Sequence, residues 1–594
     1  MKLDYEKSGQ KKRRGNLVSR INELGERLGK SFSERFLGRL ENVREVRLWV
    51  LEWALLVLVV FLLAIVQIMW YSDSYETNAF TSGGDYSEAT LGKINSMNPL
   101  YAATNSEKVL AKLLFANIVS PDVSGHEKAE LAKSITMDKT GKIWTLTLRE
   151  GLLWSDGEPI TADDVIYTVD LIRDSSAKTT VSVSFTNVKI EKKDDLTVEF
   201  TLPSAYIDFR DSLEFPLVPA HVLKDISPAL VYESEFSTKP VCSGPFILNA
   251  MQVSNVTSSS LQTVYLNRND NYFLRDALLN SFTLKTYDNV ENIYDALSAG
   301  DVAATAELNA GEEFGGAISM RTSLINGGAF AFFNTASETL KETKVRQAIR
   351  YGVNLDKVRE DVNDGEKMDY PILDSQVSNL SYPELPKYDL ETARKLLAEA
   401  KLTYNEEDKK LYDMDGGVVT LSIAVLKRDK ILSKAERFAE ELKNMGFDVS
   451  LNVFDETQAG ADFFTSVIKP REYDILFYEI DLGVSADPFV YYSSTQANES
   501  GWNFSNYRNS LVDVNLLSAR LTTDVKLRKA KYEAFLKSWV TDVPAIGLYR
   551  STLNYYYNRN MNIYGEDAKL TDALDRFADV RYWASEKRSV NMTP

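Results

Sequence analysis

Sixteen consecutive residues without a charge, Ala54 to Met69, constrain this chain more than any other feature. At about 1.5 Å per residue a helix of that length crosses most of a hydrocarbon core of about 30 Å. Trp49, Trp53, Trp70 and Tyr71 flank the run and suit the two membrane interfaces. It is read as a transmembrane signal anchor over residues 49–71; a buried core helix and a signal-peptide core are the other structures such a run forms. Charge orients it. Of the chain's 68 Lys and Arg and 85 Asp and Glu, 13 and 8 lie up to Glu52, a local net of +5 that leaves −22 for the remainder. The N-terminus is therefore expected in the cytoplasm, with the protein a single-pass membrane protein whose main body is extracellular or periplasmic. Neither a small-x-small cleavage site nor a cysteine for lipidation stands just after the span, so the tether is expected to persist.

Residues 1–48 open with Lys11, Lys12, Arg13 and Arg14, then repeat Leu17, Ile21, Leu24, Leu28, Phe32, Phe36 and Leu40 at steps of three and four. This is a cytoplasmic basic amphipathic segment. It either lies on an anionic membrane surface or is a short cytosolic helix or partly disordered tail, weakened by Gly25, Gly29 and Gly38. Residues 72–90 read as a polar linker. The remaining length of this 594-residue chain is enough for two or three cores, and 44% apolar with 26% charged is ordinary globular composition. A formal charge of −17 opposes nucleic-acid binding. Cys242 stands alone and cannot form an internal disulfide. His126 and His221 leave little room for a histidine-rich metal site, so no metal or cofactor is expected.

Local structure is clearest from Lys142 to Tyr167. Trp144, Leu146 and Leu148 alternate with Thr145, Thr147 and Arg149, the period of a strand with one buried face. Asp156-Gly157 supplies a turn, and Thr161 with Asp164 three residues on supplies a helix capping box. Further along, a strand over 418–425, a helix over 432–445 closed by Gly446 and a strand over 447–453 form a βαβ unit, which implies parallel strands.

As a string, Leu148 to Val165 (LREGLLWSDGEPITADDV) resembles the signature of the family-5 extracellular solute-binding proteins, the oligopeptide, dipeptide and nickel receptors of ABC importers. Other segments are similar to the same family: Leu91 to Tyr101, taken as its first strand ending in an Asn-Pro turn; Val241 to Phe246; Phe330 to Asn334 with the helix from Lys344; Tyr388 to Ala400; and Val543 to Tyr549. The resemblance implies an α/β, two-lobed, periplasmic-binding-protein-like fold of type II. It is the large peptide-receptor class with an extra small lobe, here preceded by one transmembrane helix. Lobe I is expected from 91–115, 240–328 and 550–585, the extra lobe from 116–239, and the hinged lobe II from 329–549.

What the resemblance implies for the site is carried over residue by residue. Ala103, Thr104 and Asn105 match positions that touch ligand backbone, and Tyr167 and Tyr549 match aromatics near the ligand. The loop after the strand ending at Tyr478 runs from Glu479 to the Asp487-Pro488 pair. Where peptide receptors hold the ligand's α-ammonium with an aspartate three residues before that pair, this chain has Val484. Either Asp481 or Glu479 takes over that role, or the ligand lacks a free amino terminus. The implied function is capture of short peptides by hinge closure and delivery to ABC permease subunits, without catalysis. The rivals are a ligand sensor on the same fold, signalling through the membrane helix, and an anchored hydrolase. The latter is opposed by Asp163 and Asp164 reading as cap residues.

Overall fold

The computed structural model describes residues 43–591 apart from 122–126, 182–184, 255–260, 275–276, 456–461 and 566–567. The expected amphipathic repeat before Val43 lies outside them. Two compact units are present, one ending at Ala79 and taking in the chain from Lys587, the other Phe80–Glu586. In the first, α1 (Val43–Tyr75) is a 33-residue helix. Its stretch Trp49–Trp70 is long and apolar enough to cross a membrane, and none of it is buried. The strand that follows, Glu76–Thr81, pairs with Glu586–Asn591 near the end of the chain.

The second unit is built on one ten-stranded mixed sheet. Its strands are β1 (Asp85–Leu91), β2 (Phe246–Val253), β3 (Gln262–Arg268), β4 (Ser281–Tyr287), β5 (Ala304–Thr305), β6 (Ile318–Phe333), β7 (Thr420–Leu426), β8 (Asp448–Phe454), β9 (Ile475–Asp481) and β10 (Ala545–Asn558). They lie in the order β8-β7-β9-β6-β10-β5-β1-β4-β3-β2. β6 and β10 pair antiparallel from Ile318 opposite Asn558 to Phe332 opposite Ala545, with register shifts at Leu324/Gly328 and Ala329/Phe330. These two long strands carry the chain from one half of the sheet to the other and back.

Residues 72–90 are not the linker expected. The helix continues to Tyr75, and two strands occupy most of the rest. The polar sequence conceals a sheet strand because Tyr86 and Glu88 point into the core, where Glu88 meets Arg576 at 2.7 Å and accepts from Tyr555 Oη at 2.6 Å. The first strand of this sheet is thus β1, and the Leu91–Tyr101 segment, where a strand was expected, follows it. In that segment Asn98 Oδ1 caps a single turn, Pro99–Tyr101, by accepting from Leu100 N.

One apolar cluster joins Tyr86, Leu110, Trp154, Phe200, Phe282 and Trp583. Residues 116–239 therefore share a core with the sheet half containing β1 to β4, while forming their own four-stranded antiparallel sheet. Helix α2 (Asn105–Leu114) packs in this half. So does α3 (Ala162–Arg173), which the signature starts as expected: Thr161 N donates to Asp164 Oδ2 at 2.8 Å, and Thr161 Oγ1 accepts from Asp163 N. Thr161→Ala is expected to cost about 1 kcal/mol of stability, read by denaturant unfolding of the full chain.

In the other half, period-two alternation gives the sheet two buried faces. Ala331, Phe333, Ile423 and Phe477 face α4 (Asp429–Met445), and Phe330, Phe332 and Leu476 pack with α5 (Ser510–Leu521) and α6 (Val525–Asp542). β7, α4 and β8 are the βαβ unit, with β7 parallel to both β8 and β9. In the helix Thr343–Gly352, Arg346 is buried and donates to the carbonyls of Leu340, Lys341 and Asp542, tying its helix to α6.

Candidate functional site

The chain leaves β9 at Asp481 and turns through Gly483, whose φ of 67° needs a residue without a side-chain clash. The loop from Leu482 to Asp487 is held at several points. Leu482 N donates to Asn326 O, Asn326 Nδ2 to Gly483 O at 3.0 Å, Gln376 Nε2 to Leu482 O at 2.7 Å, and Tyr532 Oη to Ala486 O at 2.6 Å. Asp487 takes both arms of the Arg520 guanidinium, with Nε–Oδ1 at 2.9 Å, and Tyr206 Oη reaches the same carboxylate. Beside it Asp208 pairs with Arg528. Residues 206–208 belong to the half with β1, and Asp487, Arg520 and Arg528 to the half with β7, so these bonds bridge the two halves.

Between the halves, next to this loop, lies a cavity of about 390 Å³. Asp481, Gly483 and Val484 form one wall. Opposite stand Pro99, Ala102, Lys108 and Lys112 around α2, with Glu214, Thr571, Asp572 and Asp575. Carboxylates outnumber cations here. Lys112 Nζ lies 3.8 Å from both Glu214 and Asp575. Burial pushes Glu214 up to about 8 despite that lysine. Asp481 accepts from Gly483 N at 2.9 Å and, among the described residues, pairs with no Lys or Arg. Loss of solvent, reinforced by the nearby charges of Asp572 and Asp575, raises it to about 6.

A second cavity of about 850 Å³ lies along β6 and β10. It is lined by Ser323, Asn326 and Arg550 of those strands or their edges, by the segment from Lys367 to Ser375, and by Ala568, Lys569 and Leu570. The two cavities adjoin where Leu570 borders one and Thr571 the other; Asn326 N donates to Thr571 O at this boundary.

Of the residues singled out from sequence, the structure brings Asp481 and Val484 together in the smaller cavity. Ala103, Thr104 and Asn105 stand at the start of α2, between the lining residues Ala102 and Lys108. Both Ala103 N and Thr104 N donate to Glu107 Oε2, Thr104 Oγ1 caps the helix, and Asn105 Nδ2 meets the Glu307 carboxylate. Tyr167 lies elsewhere, half-buried in the core of its half, with Oη donating to Leu223 O at 3.0 Å; burial raises it to about 12. Tyr478 stacks on Phe463. Tyr549 is buried, and its hydroxyl donates to Glu479 at 2.5 Å, so Glu479 and Tyr549 satisfy one another. Sequence reading missed Glu214, Asp572, Asp575 and Arg550. The only local signal was a cap pattern at Asp572 and Asp575, which indeed form a capping box. Among the described residues no group of three His, Cys, Asp or Glu is arranged to hold a metal ion. Cys242 is buried, and burial pushes its thiol up to about 12.

The family model for bacterial extracellular solute-binding proteins, family 5 middle, matches residues 127–502. Oligopeptide-binding protein AppA of Bacillus subtilis (strain 168) is 25% identical over 496 residues, 81% of this chain and 87% of the relative. Its structure in complex with a nonapeptide has the same fold, with a TM-score of 0.68 at 22% identity over 85% of this chain and 99% of that one. NikZ from Campylobacter jejuni, in complex with Ni(L-His), gives 0.69 at 23% identity over 84% and 99%. The ABC transporter substrate-binding protein CtaP from Listeria monocytogenes gives 0.71 at 22% identity over 85% and 100%.

Proposed function

The chain belongs to the bacterial extracellular solute-binding proteins of family 5, and we propose that it is a membrane-anchored receptor that captures short peptides between its two lobes. On this reading α1 tethers the receptor with its N-terminus in the cytoplasm. The lobes close about β6 and β10, and the cargo passes chemically unaltered to the permease subunits of an ABC importer. Ligand stabilises the closed form by its differential affinity for it. The observation that carries the choice of peptide is Asp481, a carboxylate on the cavity wall that pairs with no Lys or Arg among the described residues. A ligand ammonium supplies the missing charge and forms a charge-assisted bond between the two halves. Asp481 thereby does the work that Val484 is unable to do three residues before the Asp-Pro pair. AppA of Bacillus subtilis, a relative solved with a nonapeptide, supports the peptide reading.

The test is a thermal-shift screen of the full chain in detergent against a mixture of short peptides. A ligand present at about 100 times its Kd adds about 2.7 kcal/mol to the stability of the state it binds. At least one peptide is expected to raise the melting temperature by a few degrees and to be recovered intact afterwards. A screen in which no peptide does so refutes the reading, and recovery of cleaved peptide refutes the absence of catalysis.

A further inference from the structure

Helix α5 carries apolar side chains on two opposite faces. Val512, Leu516 and Ala519 are buried in the core with Phe332 and Leu476, while Leu511, Val514, Leu517 and Leu521, at steps of three and four, form an exposed stripe on the other side. The stripe continues beyond the helix. Val525 and Leu527, which open α6, are exposed as well, and the six side chains range from 40% to 78% accessible. No other described stretch of that length in the second unit exposes as many large apolar side chains. A helix apolar on both faces is normally covered on both, and an apolar patch of this extent on a water-facing surface marks a contact.

The charges beside the stripe point to what covers it. In the first two turns of α6, Arg528 is bound to Asp208 and Lys529 lies 3.7 Å from Glu533, but Lys526 and Lys531 pair with no described carboxylate. In a chain of formal charge −17, an apolar stripe bordered by uncompensated lysines suits a bilayer that carries anionic headgroups. The apolar side chains enter the acyl boundary, and the ammonium groups meet phosphate. A second copy of the chain suits it less, because an isologous contact sets the patch against itself and brings lysines to lysines. Chain connectivity keeps a bilayer within reach. The strand that begins at Glu76, directly after α1, pairs with Glu586–Asn591, so the second unit is joined to the first at both of its ends. Tethering raises the effective concentration of lipid, so a surface too weak to bind membranes from solution docks on its own. We propose that the exposed face of α5 and the start of α6 form a lipid-docking surface that rests on an anionic bilayer. The tether rests on the anchoring reading above. The stripe and its lysines belong to the second unit alone, whatever ligand it carries.

The experiment reconstitutes the full chain into liposomes of phosphatidylcholine, with and without phosphatidylglycerol, and reads a polarity-sensitive fluorophore attached at Val514→Cys. The native Cys242 is buried, so labelling is confined to the new thiol. Met414→Cys, at an exposed site away from the stripe, carries the same label as a control. With phosphatidylglycerol present, the label at 514 is expected to shift to the blue and to be quenched by spin-labelled lipid, and the label at 414 to do neither. Adding Lys526→Gln and Lys531→Gln is expected to weaken docking about 10- to 30-fold, and Leu517→Glu to abolish it. The melting temperature in detergent, unchanged in these surface variants, controls for folding. Equal quenching at 514 and 414, or quenching at 514 that ignores both the lysines and the lipid charge, overturns the proposal. A label at 514 that is shielded from water but not quenched by lipid assigns the face to a second copy and also overturns it. Release of the chain by alkaline extraction of the liposomes refutes the anchoring reading separately, since lipid quenching at 514 before extraction still reports on the docking surface.

Discussion

Asp481→Asn is expected to weaken binding of a peptide with a free amino terminus by about 10- to 100-fold at pH 7, with little effect on an N-acetylated version of the same peptide. The amide keeps the shape of the side chain and accepts from Gly483 N as before, but it offers the ammonium no charge. The pH dependence separates this account from a merely structural one. In the free receptor, burial and the neighbouring Asp572 and Asp575 hold Asp481 at about 6. The ammonium binds the deprotonated carboxylate, so binding lowers that pKa, and proton and ligand compete below it. Wild-type affinity should therefore be full above pH 7, fall as pH drops through 6, and level off once the carboxylate of the complex is protonated too. In Asp481→Asn this component should be missing. Calorimetric titrations at pH 5, 6 and 7 read both effects. Equal affinity of wild type and variant at pH 7 would remove Asp481 from the site.

Glu88→Ala is expected to cost about 3–5 kcal/mol of stability, the largest loss anticipated from one substitution in the second unit. Glu88 is 0% and Arg576 3% exposed, and their bond of 2.7 Å joins β1 to the segment after β10. The carboxylate also accepts from Tyr555 Oη, which in turn lies 2.6 Å from Tyr86 Oη. Removing Glu88 strands a buried guanidinium and leaves one hydroxyl of the Tyr86–Tyr555 pair without an acceptor. Removing both charges in Glu88→Leu/Arg576→Met should recover a large part of the loss, since apolar replacements of a buried pair cost far less than a broken one. Urea unfolding of the full chain, followed by tryptophan fluorescence at Trp583 and its neighbours, measures this. A single variant within 1 kcal/mol of wild type would show that the pair is dispensable.

What could be read from sequence was whatever adjacent residues decide between themselves. The alternation at Trp144, Leu146 and Leu148, the capping box at Thr161 and the βαβ unit closed by Gly446 all depend on neighbours within a few positions, and all stand in the structure. β1 was misread because Glu88 looks solvent-seeking until its partner is found 488 residues on. The shared core of residues 116–239 with β1 to β4 was hidden for the same reason. Of the candidate site, Asp481 and Val484 were visible through the resemblance of their loop. Glu214, Asp572 and Asp575 were not, since they converge from segments more than 350 residues apart and each looks like a surface acid in isolation.

A structure of the full chain bound to its tightest peptide tests the central claim most directly. The account predicts a peptide lying between the lobes, its ammonium about 2.8 Å from the Asp481 carboxylate. A peptide seated outside the two adjoining cavities, or one whose amino terminus contacts neither Asp481 nor the acids facing it, would contradict it.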